Sequence, residues 1–195
     1  MAKRSKTGKS QPGRLRIVAG KWRSRLLDIA DVPGLRPTSE RVRETLFNWL
    51  VPSIEGARCL DLFAGTGALG FEALSRGATQ VVFVENSRRA AKVIATSAEI
   101  LDASGAVIHC GDADEYLRNA QPASFDIIFL DPPFADDRLE ELCGQIDERG
   151  ILAPGGRIYL EQDRVKPEIR LPDRWQVLKH KTAGNVRYML VEVAA

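Results

Sequence analysis

The chain has 195 residues, 44% of them hydrophobic, which fits one ordinary domain with a sizeable core and excludes wholesale disorder. No apolar run approaches the ~18 residues that cross a bilayer, and the basic start lacks the apolar stretch of a secretory signal, so a cytoplasmic protein without a membrane span is expected. The net charge of +2 hides an asymmetry: residues 1–45 hold twelve Lys/Arg against four Asp/Glu, whereas residues 46–195 hold sixteen against twenty-two.

Residues 1–13 read as a disordered basic tail, rich in Lys, Ser, Gly and Pro. Short β-type runs flank Gly20-Lys21 and predict a small hairpin with arginines on one face. Pro33-Gly34 and Pro37 mark a loop. A helix then starts near Thr38 or Ser39, buries a stripe of Val42, Leu46, Trp49 and Leu50, and closes at Pro52. Strands are predicted at 59–63, 81–84, 106–110, 125–130 and 157–161, alternating with helices near 69–74, 87–101 and 139–149. Residues 177–180 and 188–193 read as an antiparallel terminal pair. This alternation predicts a doubly wound α/β sheet. Cys59, Cys110 and Cys143 are scattered and lack a CxxC pair, and only His109 and His180 are available, so no metal site is expected. Cys59 and Cys110 read as buried structural thiols.

Asp61-Leu62-Phe63-Ala64-Gly65-Thr66-Gly67-Ala68-Leu69-Gly70 falls at a strand-to-helix junction. In open α/β sheets ligands bind beyond the carboxyl ends of the strands, which is where this loop lies. Glu85, ending the next strand, is placed to accept from two ribose hydroxyls. The Gly65, Gly67, Gly70 spacing also satisfies the dinucleotide fingerprint, so the motif alone does not separate a nicotinamide cofactor from S-adenosylmethionine. Asp61 tips the balance, because a phosphate-binding turn has no use for an acid there, whereas a cationic methionine end does. Asp112 could accept from an adenine amino group, or cap a helix. The candidate cofactor contacts are Asp61, Phe63, Ala64, Gly65, Thr66, Gly67, Glu85, Asp112 and Ala113.

The apolar run Ile127-Ile128-Phe129-Leu130 leads into Asp131-Pro132-Pro133-Phe134. Two prolines fix φ twice and present carbonyls without competing N–H groups. A nucleobase amine is a poor nucleophile because its lone pair is delocalised into the ring. Acceptors aimed at its hydrogens hold that lone pair toward an electrophile and stabilise the developing positive charge. Asp131 and the Pro132 carbonyl are the natural acceptors, and Phe134 can stack on the base.

These motifs, with Arg16 to Arg23 and the stretch Arg36-Pro37-Thr38-Ser39-Glu40-Arg41-Val42-Arg43-Glu44-Thr45-Leu46-Phe47-Asn48-Trp49-Leu50, resemble the RsmD family of bacterial 16S ribosomal RNA guanine-N2 methyltransferases. The resemblance spans roughly residues 14–193. It implies a Rossmann-like class I methyltransferase fold, a mostly parallel seven-stranded sheet with an antiparallel C-terminal strand and an N-terminal β-hairpin extension. It implies S-adenosyl-L-methionine as methyl donor, S-adenosyl-L-homocysteine as product, and 16S rRNA of the small ribosomal subunit as partner. Expected units are the tail 1–13, an RNA-contacting hairpin and loop 14–37, and a methyltransferase domain 38–195, acting as a monomer. Asp131, Pro132, Pro133 and Phe134 carry over as the catalytic motif. Arg16, Lys21, Arg23, Arg25, Arg36, Arg41 and Arg43 are the candidate RNA contacts. The alternatives are methylation of adenine N6 or of a protein glutamine amide, a nicotinamide oxidoreductase, and a non-catalytic RNA-binding or assembly module.

Overall fold

The structure, a computed structural model, describes residues 13–33, 35, 38–133 and 137–194. The basic tail up to residue 12, Arg36 and Phe134 lie outside the described residues.

The first elements are short strands β1 (Arg14–Arg16) and β2 (Leu26–Asp28), paired antiparallel with Leu15 opposite Leu27. The expected hairpin is there, but residues 17–25 form a long series of turns rather than a tight reversal at Gly20-Lys21. Leu15, Ile17, Trp22 and Leu27 are buried in the same apolar cluster as the main helices, so the extension is welded to the core. Helix α1 (Glu40–Ile54) begins at Ser39, whose hydroxyl accepts the Val42 N–H. It runs through Pro52 instead of closing there, since a proline in the last turn forfeits only one ladder bond.

The rest alternates: β3 (Arg58–Asp61), α2 (Ala68–Ser75), β4 (Gln80–Glu85), α3 (Arg88–Leu101), β5 (Ala106–Cys110), α4 (Ala113–Asn119), β6 (Phe125–Leu130), α5 (Leu139–Glu148), β7 (Leu152–Asp163), β8 (Trp175–Ala183) and β9 (Val186–Val193). The sheet order is β5-β4-β3-β6-β7-β9-β8, with β9 antiparallel to both of its neighbours and the other pairings parallel. β7 is longer than expected and contains Gly155-Gly156, where its register against β6 shifts.

Alternation along the central strands divides the core into two layers. Cys59, Phe83, Ile127, Phe129 and Tyr159 face α1, α2, α3 and the hairpin. Leu60, Val82, Ile128, Leu130 and Leu160 face α4 and α5. Strands covered on both faces need no polar side, which explains the unbroken apolar run of β6. Cys59 is buried as expected, but Cys110 is exposed, because it ends β5 on the rim of the sheet.

Candidate active site at the carboxyl edge of the sheet

Four adjacent parallel strands, β4, β3, β6 and β7, carry an acid at or within two residues of their carboxyl ends: Glu85, Asp61, Asp131 and Glu161. Glu161 was not singled out by the sequence, although an acid ending an apolar strand is the same signal that marks the other three.

The glycine loop is built on two of these acids. Asp61 is 3% exposed, and its Oδ2 accepts the Gly70 N–H at 3.0 Å. Glu85 accepts the Gly65 N–H at 2.8 Å through Oε2 and the Ser87 N–H at 2.7 Å through Oε1. Gly67 caps α2 at φ 76°, a left-handed conformation that a side chain disfavours, and a Cβ there would lie 2.7 Å from the Phe71 ring. At Gly70 a Cβ would meet the Phe83 ring at 2.1 Å, so this glycine lets the helix close on the sheet. Ala64, Thr66 and Ala113 are buried, and Phe63 is partly buried against the α4–α5 layer. Asp112 is the N-cap of α4, its Oδ1 accepting from the Asp114 and Glu115 N–H groups.

Burial pushes the Asp61 carboxyl up to about 7, opposed by the Gly70 N–H and reinforced by the charge of Glu85. No cation is among the groups that shift it, so this acid suits a positively charged ligand. The shift has a sign in stability. Asp61 holds its proton more tightly folded than unfolded, so its contribution is full below the unfolded value near 3.8 and is lost as pH rises toward about 7. Asp61→Asn is therefore expected to gain in melting temperature relative to the parent between about pH 5 and about pH 7.5. An equal difference at both pH values in thermal melts would contradict this.

Asp131 follows the last residue of β6, with Pro132 buried and Pro133 exposed after it. Thr38, from the segment entering α1, donates from Oγ1 to Asp131 Oδ2 at 3.5 Å. Burial and then the charges of Glu161 and Asp61 hold Asp131 well above the usual carboxylate range, against a lowering by Thr38. Glu161 is raised by burial, while the Tyr159 hydroxyl, donating to its Oε2 at 2.6 Å, works the other way. A cavity of about 210 Å³ at this edge is lined by Pro132, Pro133, Glu161, Gln162 and residues of the β7–β8 connection.

The N-terminal basic residues divide. Arg16, Lys21, Arg23, Arg25 and Arg41 are exposed, with Arg16 3.8 Å from Glu40. Arg43 does not belong with them. It is 1% exposed on the buried stripe of α1 and donates from Nη2 to the Arg16 carbonyl at 2.8 Å, which corrects its placement among surface RNA contacts. Helical periodicity carried the signal, since Arg43 sits one turn before buried Phe47. Buried Glu72 of α2 was also missed. It accepts from the Val18 N–H at 2.8 Å, the Ala19 N–H at 3.0 Å and Arg76 Nε at 2.7 Å. Ser75 adds a second tie, accepting from the Trp22 N–H and donating to the Ala19 carbonyl. The hairpin is thus fastened to the helix that starts in the glycine loop. Among the described residues no group of three or more His, Cys, Asp or Glu could hold a metal ion, and no helix is long and apolar enough to cross a membrane.

This arrangement has known counterparts. Residues 15–192 match the family model described as conserved hypothetical protein 95. Ribosomal RNA small subunit methyltransferase D of Haemophilus influenzae is 43% identical over 92% of this chain and 94% of its own length. The Escherichia coli protein of the same name is 41% identical over 96% of this chain and 94% of its own. The solved structure of the Escherichia coli methyltransferase yhhF superposes with a TM-score of 0.86 at 38% identity, covering 93% of this chain and 99% of that one. With that agreement along nearly its whole length, the chain belongs to the conserved hypothetical protein 95 family, that of ribosomal RNA small subunit methyltransferase D.

Proposed function

We propose that the protein transfers a methyl group from S-adenosyl-L-methionine to the exocyclic N2 amine of one guanine in 16S rRNA of the small ribosomal subunit, in the cytoplasm. The observation that carries this reading is Asp131 with Pro132 and Pro133, held at the carboxyl end of β6 beside a glycine loop backed by buried Asp61. The names of the relatives at 41–43% identity support rRNA as the substrate class.

The residues fit the cofactor. Asp61, with no cationic partner among the described residues, would face the positive methionine end, and Glu85 keeps lone pairs for the ribose hydroxyls beyond the two backbone donors it already holds. Bound there, S-adenosylmethionine supplies a methyl activated on a sulfonium. The chain supplies position and charge. Asp131 and the Pro132 carbonyl accept from the acceptor amine, which keeps its lone pair in line and stabilises positive charge on nitrogen. Phe134 would fix the plane of the base by stacking. A guanine within rRNA must leave its stack to reach these groups, and Lys21, Arg23 and Arg25 would neutralise phosphates around it.

The decisive experiment incubates the protein with labelled cofactor and small subunits lacking the modification, then maps the labelled nucleotide. One N2-methylguanosine in 16S rRNA is the expected product; label in adenine or in protein would overturn the reading. Because the hairpin is part of the core, its RNA role is better tested by charge reversal than by deletion. The double variant Arg23→Glu, Arg25→Glu is expected to keep its fold and to lower the slope of log affinity against log salt by roughly 1–2. An unchanged slope in filter-binding titrations would exclude these two contacts.

A further inference from the structure

Glu161 has no part in the chemistry described above, yet its setting is that of a ligand-binding group. It is 6% exposed, its Oε2 is taken by the Tyr159 hydroxyl, and Oε1 accepts no hydrogen bond among the described residues. No salt bridge compensates it among those residues. Glu161 also lines the cavity at this edge, so its free Oε1 is open to a donor from a bound ligand.

Register places that donor. Phe129 pairs with Tyr159 and Leu130 with Leu160, so Asp131 and Glu161 stand side by side one row further along parallel strands. Residues in register on adjacent strands share a face, and the strands lie ~4.8 Å apart. Glu161 lines a cavity together with Pro132 and Pro133, the residues that directly follow Asp131, so a second acceptor stands beside it. Guanine presents two neighbouring donors on one edge, the N2 amine and N1–H. Adenine presents its N6 amine beside N1, an acceptor, which a carboxylate repels.

We infer that Glu161 is the residue that selects guanine, accepting a hydrogen bond from N1–H while Asp131 holds the N2 amine. Tyr159 is a positioning residue, holding the Glu161 carboxylate from below. This rests on the guanine-N2 reading proposed above. The rejection of adenine follows from an unpaired acceptor facing an acceptor, the kind of mismatch that binding sites discriminate against most strongly.

The test uses reconstituted small subunits whose 16S rRNA carries either guanine or 2-aminopurine at the mapped position. 2-Aminopurine keeps the 2-amino group but lacks the hydrogen on N1. The parent protein is expected to prefer guanine by at least about tenfold in kcat/KM, the scale of one lost hydrogen bond to a charged group. Glu161→Gln, whose amide can donate to the bare N1, is expected to bring the preference to within about threefold at unchanged cofactor affinity. A purely structural role would slow both substrates equally and leave the ratio where it was, which overturns the inference while N2-methylguanosine formation stands. Should the variant fail to fold, a parent preference below about threefold overturns it without any substitution. If the mapped product is not a methylated guanine, both this inference and the reading beneath it fall, and the nucleoside analysis reports that separately.

Discussion

Replacing Asp131 by alanine is expected to lower turnover by roughly a thousandfold while leaving cofactor affinity within about threefold, because the proposed role of the carboxylate is to hold the acceptor amine rather than the methyl donor. The expectation rests on its place beyond β6, where Thr38 is its one described hydrogen-bond donor and the neighbouring groups are acids. Isothermal titration with S-adenosylhomocysteine and a labelled-methyl assay separate the two effects, and near-normal turnover would sink the assignment. Asp131→Asn keeps an acceptor oxygen and is expected to lose only about tenfold. The pH profile adds an independent check. Burial and the charges of Glu161 and Asp61 raise the Asp131 pKa, so in the parent kcat falls as pH drops through that raised value. In Asp131→Asn that acid limb should flatten.

The largest loss of stability is expected at Glu72, far from any reacting atom. Its buried carboxylate gathers two hairpin N–H groups and Arg76, with Arg43 close by in the same buried joint. Arg43 already has Nε and Nη1 buried without partners among the described residues, so it is poorly placed to absorb the loss of an anion. Glu72→Ala strands these donors and is expected to cost about 3–5 kcal/mol. For a chain of this size that is a fall of roughly 10 °C in melting temperature. Hydrogen exchange should show the amides of residues 17–25 losing protection first, since their ties to α2 run through Glu72 and Ser75. A melting temperature within about 2 °C of the parent would show that the joint contributes little.

Much of the site was legible because its parts are local. The loop from Asp61 to Gly70 and the run into Asp131 are continuous segments whose residue types follow from the turn they form and the chemistry proposed for them. The strand order was legible only in class. Alternating strands and helices imply a parallel sheet, but not that β6 inserts between β3 and β7 and so brings Asp131 between Asp61 and Glu161. Arg43 shows the opposite failing. Its charge suggested the surface, whereas packing placed it on the buried stripe of α1, where a long aliphatic stem is tolerated and the guanidinium finds the Arg16 carbonyl. Asp112 was open between cofactor contact and helix cap; its Oδ1 serves the cap. Pro52 was expected to stop a helix that ends two residues later.

By itself the sequence determined the fold class, the glycine loop with Asp61 and Glu85 at the strand ends, the run of β6 into Asp131 and the basic start of the chain. Each is set by short-range rules of turn geometry, periodicity and the residue types that a reaction needs. Only the tertiary structure decided that the hairpin is fastened to α2 through Glu72, that Arg43 is interior, and that Glu161 stands next to Asp131. Those facts join residues about thirty to fifty positions apart. Burial and long-range pairing depend on which surfaces the whole chain brings together, and no local pattern carries that information.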